Sequence, residues 1–174
     1  MKKIFVMAAM VLGVSAAYAG DSEPLKAITK SKTYAEAEAL LNSTLDQLAS
    51  PQEKAKAYNK LYELSMKDFE TVSAVIAENQ RAAVMKTEQQ AYDTAAYYNS
   101  AYNAVKAAVE CDKYDGQPDA KGKTKIAYRK DETRLQKLTQ ARLELVNGGQ
   151  WIDGKNDEAG LLKYWGLFLE SRNT

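Results

Sequence analysis

Two helix-start signals stand close together near the front of this chain, and they constrain its fold more than any other feature. Thr33-Tyr34-Ala35-Glu36 and Ser50-Pro51-Gln52-Glu53 both have capping-box spacing. In such a box a Ser or Thr hydroxyl accepts from the third amide while a Glu reaches back. In the second box Pro51 stands where its missing N–H costs nothing. Between the two, apolar residues fall at Ala37, Leu40, Leu41, Thr44, Leu45 and Leu48, the three-and-four rhythm of an amphipathic helix. One helix therefore ends near Ala49 and the next begins at once. So short a joint forces an antiparallel hairpin.

The rhythm persists downstream. The second helix carries Ala57, Leu61, Leu64, Met66 and Phe69, with Tyr58 and Tyr62 beside them, and runs on towards Met85. Polar residues break the pattern from Thr87 to Tyr92. Asp93 then caps a third helix holding Tyr98, Tyr102, Val105 and Val109, which ends around Cys111-Asp112. Residues 113–130, KYDGQPDAKGKTKIAYRK, form one long loop with two glycines and a proline. A fourth helix from about Asp131 has Leu135, Leu138, Leu145 and Trp151 as its stripe and continues to about Asp153. A fifth runs from Glu158 to Ser171. No segment alternates as a half-buried strand does. The predicted class is all-α, with about five helices stacked as antiparallel hairpins over 33–174 and a loose leader over 20–32.

The first 19 residues, MKKIFVMAAMVLGVSAAYA, read as an address. Lys2 and Lys3 precede an apolar run from Ile4 to Val14, and Ala17-Tyr18-Ala19 supplies the small-x-small pattern of a signal peptidase site. Cleavage is expected after Ala19. An apolar run of roughly 15 residues is shorter than the ~20 a membrane-spanning helix needs, and no cysteine near the cut permits the lipoprotein route. The expectation is a Sec-exported protein of the periplasm, or a secreted one, with no membrane span.

Composition narrows the chemistry. The chain has no histidine and one cysteine, Cys111. This excludes Ser-His-Asp and Cys-His catalysis, imidazole ligation, an internal disulfide and a cysteine-based zinc site. Twenty-four basic against 23 acidic residues leave a net charge of +1, so no global field marks a nucleic-acid binder. Cys111 closes a helical run of Ala107-Ala108-Val109-Glu110, where a small buried hydrophobe fits. Gly116 to Thr124 ends in GKT like a phosphate-binding loop, yet it has five residues between its glycines and follows a helix, so its amides are not aimed at a phosphate. Asp112, Asp115 and Asp119 lack the alternation of a calcium loop and read as solvated acids at a helix end. Glu36/Glu38 and Asp131/Glu132 sit in first helical turns, where carboxylates favour the dipole. The expectation is a protein without enzymatic activity, metal or cofactor.

Two features are candidate binding surfaces. Lys121, Lys123, Lys125, Arg129 and Lys130, with Tyr128 among them, form a basic run suited to an anionic partner, or to balancing residues 33–80, which hold eight acids and four bases. The last helix, GLLKYWGLFLES, is apolar on nearly all sides. One side is expected to pack on the fourth helix, leaving Trp165, Phe168 and Leu169 outward as an interface for self-association or a partner. The aromatics Tyr58, Tyr62, Tyr98, Tyr102, Trp151, Tyr164 and Trp165 are read as knobs between helices.

Hairpins of this kind prompt a search for a ~34-residue period. Residues 141–174 resemble a tetratricopeptide unit: Gly148 stands where the first helix passes close to its partner, and Trp151 is the large packing residue. Gly160 takes the small position of the second helix and Tyr164 the following aromatic. The succession YAEAEALLNSTLDQLASPQEKAKAYNKL, AYNAVKAAVECDKYDGQPDAKGKTK and ARLELVNGGQW is similar to the N-terminal part of exported tetratricopeptide proteins of Bacteroides-type bacteria. This resemblance spans nearly the whole chain. It implies a short helical solenoid, shortened or fragmentary relative to longer members. The expected role is an envelope scaffold holding a protein or peptide, with a carbohydrate- or surface-polymer-binding accessory as the other reading.

Overall fold

The computed structural model describes residues 20–147 and 158–173, and these are helical with no strand among them. The helices are α1 (Glu23–Lys30), α2 (Tyr34–Thr44), α3 (Pro51–Met85), α4 (Thr94–Tyr114), α5 (Glu132–Asn147) and α6 (Glu158–Asn173), with a 3-10 turn at Leu45–Gln47. The all-α class holds, with six helices where five were expected. The signal segment 1–19, and with it the cleavage site, lies outside the described residues.

The extra helix is in the leader. Ser22 accepts from the Leu25 N–H, Pro24 sits in the first turn, and Leu25 and Ile28 are fully buried. Two apolar residues three apart are too short a pattern to read as a helix. They suffice here because α2 and α3 supply the missing surface. Glu53 joins the pieces: its Oε1 accepts from the Ser22 N–H at 2.6 Å, and its Oε2 from the Ala49 N–H at 2.7 Å. One carboxylate therefore caps α3 and anchors α1.

The two capping boxes form as read. The Thr33 hydroxyl accepts from the Glu36 N–H and the Ser50 hydroxyl from the Glu53 N–H. α3 is 35 residues long. It ends where Lys86 enters the left-handed region (φ 59°) and its neighbourhood bonds back to the Ala82 and Ala83 carbonyls. The Asp93 carboxylate accepts from the Ala95 and Ala96 N–H groups and starts α4. The Asp131 carboxylate does the same for α5, accepting from Thr133 and Arg134.

α4 is the central helix, packed by α3, α5 and α6. Its composition explains why: Ala101, Ala104, Ala107, Ala108 and Cys111 are buried, and such small side chains let three neighbours approach. α3 lies antiparallel to it, since Tyr58 stacks on Tyr114 and Phe69 on Tyr97 at 4.6 Å. α5 is antiparallel to α4, with Arg134 beside Asp112 and Glu144 beside Tyr97. α6 returns along α4, its Ser171 reaching Asp112. Beyond the Phe69–Tyr97 stack, α3 runs from Glu70 to Met85, about 24 Å at 1.5 Å per residue, whereas α4 starts just before Tyr97. The connection 86–93 returns beside this overhang, where the Asn79 amide pairs with both backbone groups of Gln90 at 2.7 Å.

Two expectations are overturned. Trp165 and Phe168 do not face outward: they are 9% and 0% exposed. α6 rests on α4 and turns these rings into the seam, where Arg142 lies over Trp165 and Arg172 over Phe168. Leu167 and Leu169 are exposed apolar residues on the described part of this helix. Second, Asp112 and Asp115 are not solvated loop acids. Both are buried, and each has a structural task.

Candidate functional site

Asp112 ends α4 and meets Arg134 of α5 in the interior. The guanidinium donates through Nη1 to Asp112 at 2.9 Å and through Nη2 to the Ala108 carbonyl at 3.0 Å, and it covers the Tyr62 ring. The Ser171 hydroxyl donates to the other Asp112 oxygen at 2.7 Å. Burial pushes the Asp112 carboxyl above its usual range, while Arg134 and Ser171 pull it back. α4, α5 and α6 are thereby fastened at one end.

Asp115 organises the loop. Its oxygens accept from the N–H groups of Ala127, Tyr128 and Arg129 at 2.8, 2.9 and 2.7 Å. The loop also closes on itself, the Gly116 N–H donating to the Lys125 carbonyl and the Asp119 N–H to that of Lys123. Asp119 accepts from the Lys121 and Lys123 N–H groups, and the latter bond foremost holds its carboxyl below the usual range. Gln52, at the start of α3, donates to the Gln117 carbonyl. The segment read as one long loop is therefore an ordered excursion. Lys121, Lys123, Lys125 and Lys130 are exposed on it, while Arg129 is half-buried and folded against Gly116.

The second feature was not legible in the sequence. A groove of about 550 Å³ runs between α3 and α5, with Met66, Phe69, Ala74 and Ala77 along α3 and Gln136, Lys137 and Gln140 along α5. At one end sits Glu144, whose Oε2 accepts from the Ser73 hydroxyl at 2.5 Å and the Tyr97 hydroxyl at 2.9 Å. Gln140 donates to its other oxygen. Burial, then the bond to Glu144, pushes the Tyr97 phenol well above its usual range. Near the middle, Lys137 pairs with Glu70 at 2.7 Å. Met66 and Phe69 are buried at the groove's base, Ala74 and Ala77 line its exposed continuation along α3, and Glu70, Lys137, Ser73, Gln140 and Glu144 around it are paired or hydrogen-bonded.

The other sequence candidates are dispersed. Gly148 and Trp151 lie outside the described residues, and Gly160 and Tyr164 fall on α6. Tyr62 and Tyr98 are buried knobs, and Tyr58 and Tyr102 are partly buried against the same core. Cys111 is a buried free thiol, with burial pushing its pKa up to about 12. Among the described residues no helix is long and apolar enough to cross a membrane. No family model, curated protein or solved structure matches this chain.

Proposed function

We propose that this chain is a non-enzymatic helical scaffold, exported to the periplasm through its N-terminal signal segment, that holds an apolar segment of a partner protein between α3 and α5. The observation that carries the reading is the groove's construction, with buried Met66 and Phe69 and exposed Ala74 and Ala77 in line along α3 beside hydrogen-bonded polar groups. An amphipathic segment laid into such a groove buries its apolar face and leaves its polar face at the rim. Farther along α3, its overhanging end shows Val84 and Met85 at 83% and 74% exposure.

The tetratricopeptide resemblance supports the same class of activity, since such proteins act through surfaces built of helical hairpins. α3 alone, at 35 residues, is as long as a whole 34-residue unit. The binding surface in this reading is one groove beside a long hairpin.

The test is affinity capture from envelope extract with the mature chain, compared with Ala74→Arg and Ala77→Arg. A specific partner retained by the parent and lost by both variants supports the reading. Equal retention by all three chains refutes it. The surface-polymer reading rests on the α4–α5 loop, and a glycan-induced thermal shift that survives both substitutions would favour it.

A further inference from the structure

Residues 113–130 carry six basic side chains against Asp115 and Asp119, and the structure turns one of these two acids away from the lysines. Asp115 is turned inward onto three backbone N–H groups. Asp119 is occupied by two more at 2.8 and 2.9 Å. Asp115 is thereby withdrawn from the outer face, whereas the ionised Asp119 carboxylate stays beside Lys121 and Lys123 and offsets part of their charge, so the face keeps an excess of lysines over acids. Lys113 is paired with Glu110, and at the neighbouring start of α3 Lys56 is paired with Asp21. Lys121, Lys123, Lys125 and Lys130 remain, exposed and without an ion-pair partner among the described residues. Between them stands Ile126, 41% exposed.

We propose that this loop docks the protein reversibly on an anionic lipid bilayer, with the four lysines in the headgroup layer and Ile126 at its apolar margin. Three observations choose a bilayer over other anionic partners. The loop's one forked donor, Arg129, is tucked behind it: a Cβ built on Gly116 would lie 2.9 Å from the Arg129 Nη2. Only point charges therefore face outward, and these suit a dense array of negative charge better than a discrete phosphate or carboxylate. No aromatic face is offered either. Tyr114 is stacked on Tyr58 with the Lys54 ammonium near its ring, and Tyr128 is half-buried. Stacking of sugars or nucleobases thus lacks a platform. An exposed isoleucine amid lysines gains nothing from a hydrated polymer, whereas it gains from partial burial at the headgroup–acyl boundary.

The inference is independent of the α3–α5 groove, and its failure would leave that reading untouched. The experiment is co-sedimentation of the mature chain with phosphatidylcholine vesicles, with and without phosphatidylglycerol, at low and high salt. Binding is expected only with phosphatidylglycerol, weakening as salt screens the charges. Removing a lysine should cost roughly fivefold in partitioning, the equivalent of ~1 kcal/mol per basic residue at an anionic surface. Lys121→Gln, Lys123→Gln, Lys125→Gln and Lys130→Gln combined should abolish binding while the melting temperature stays unchanged. Ile126→Ser should weaken binding with the charge constant. Absence of binding to phosphatidylglycerol vesicles, equal binding to pure phosphatidylcholine, or full binding by the folded quadruple variant would overturn the proposal. So would tighter binding to a soluble acidic polysaccharide than to vesicles, with Ile126→Ser without effect on either.

Discussion

Arg134 and Asp112 form an ion pair at 2.9 Å with side chains 1% and 0% exposed, and it joins the start of α5 to the end of α4 across the loop between them. A third helix enters through Ser171. The Arg134 Nε is buried with no hydrogen-bond partner among the described residues, so the guanidinium is not fully satisfied. A buried pair of this kind adds little net stability over apolar packing, yet losing one member strands the other charge. Its value here is registry, since it fixes which turn of α5 meets which turn of α4.

The corresponding prediction concerns single and double substitution. Arg134→Met should destabilise the fold by about 3–5 kcal/mol, because it leaves the Asp112 carboxylate buried and unpaired. Adding Asp112→Leu should restore most of that loss. Urea denaturation of the two variants beside the parent measures it. A double variant no more stable than Arg134→Met alone would refute the stranded-charge account.

A second prediction separates an ordered loop from a loose one. Asp115→Ala removes the acceptor of three N–H groups, and bonds to a charged acceptor contribute about 1.5–3 kcal/mol each before water replaces part of them. The loop should then open. Lys121, Lys123 and Lys125 are tryptic sites within it, so limited trypsinolysis should cleave the variant at least tenfold faster than the parent. Gly116→Ala should act in the same direction, since Gly116 has φ +85° and its new methyl would crowd Arg129 and Ile126. Equal cleavage rates in all three chains would show that the aspartate does not hold the loop.

Much of this architecture was legible in the residues, and the boundary has a physical cause. Caps are local: Thr33, Ser50, Asp93 and Asp131 each bond within a few residues, so their spacing announces them. Apolar stripes are local too, and Leu41, Leu61, Phe69, Val105 and Leu138 are buried as their rhythm implies. What escaped depends on partners far along the chain. Leu25 and Ile28 need α2 and α3, Asp112 needs Arg134, and the groove needs Glu144 to meet Ser73 and Tyr97 from different helices. α6 is apolar on nearly every side, so periodicity gave it no preferred face. Its inward residues were set by α4.

That reassignment of α6 yields a third prediction. Phe168 is fully buried, 5.6 Å from Trp165 ring to ring, while Leu169 is 41% exposed. Phe168→Ala should cost about 3–5 kcal/mol, as large-to-small changes in a packed core do. Leu169→Ala should cost less than about 0.5 kcal/mol, as expected of a surface site. Thermal denaturation of both variants decides. Similar effects at the two positions would return Phe168 to the surface.

The final prediction follows from weak acids held neutral in the interior. Burial is the leading cause pushing Cys111 up to about 12, and it does the same for Tyr58 and Tyr62, while Tyr34 and Tyr97 rise further. In the unfolded chain a thiol ionises near ~8.5 and a phenol near ~10. Above those values the folded state binds more protons than the unfolded one, so stability falls as pH rises. The contribution is complete below about pH 8.5 and is lost progressively towards about pH 12. The melting temperature should therefore be level from pH 7 to about 8.5 and then fall steadily. Cys111 supplies a second readout: at pH 8 it should resist a thiol reagent in the native protein and react at the rate of an ordinary thiol in denaturant. A melting temperature that stays level to pH 11, together with a native thiol that reacts as fast as the unfolded one, would place these groups at the surface and not in the core.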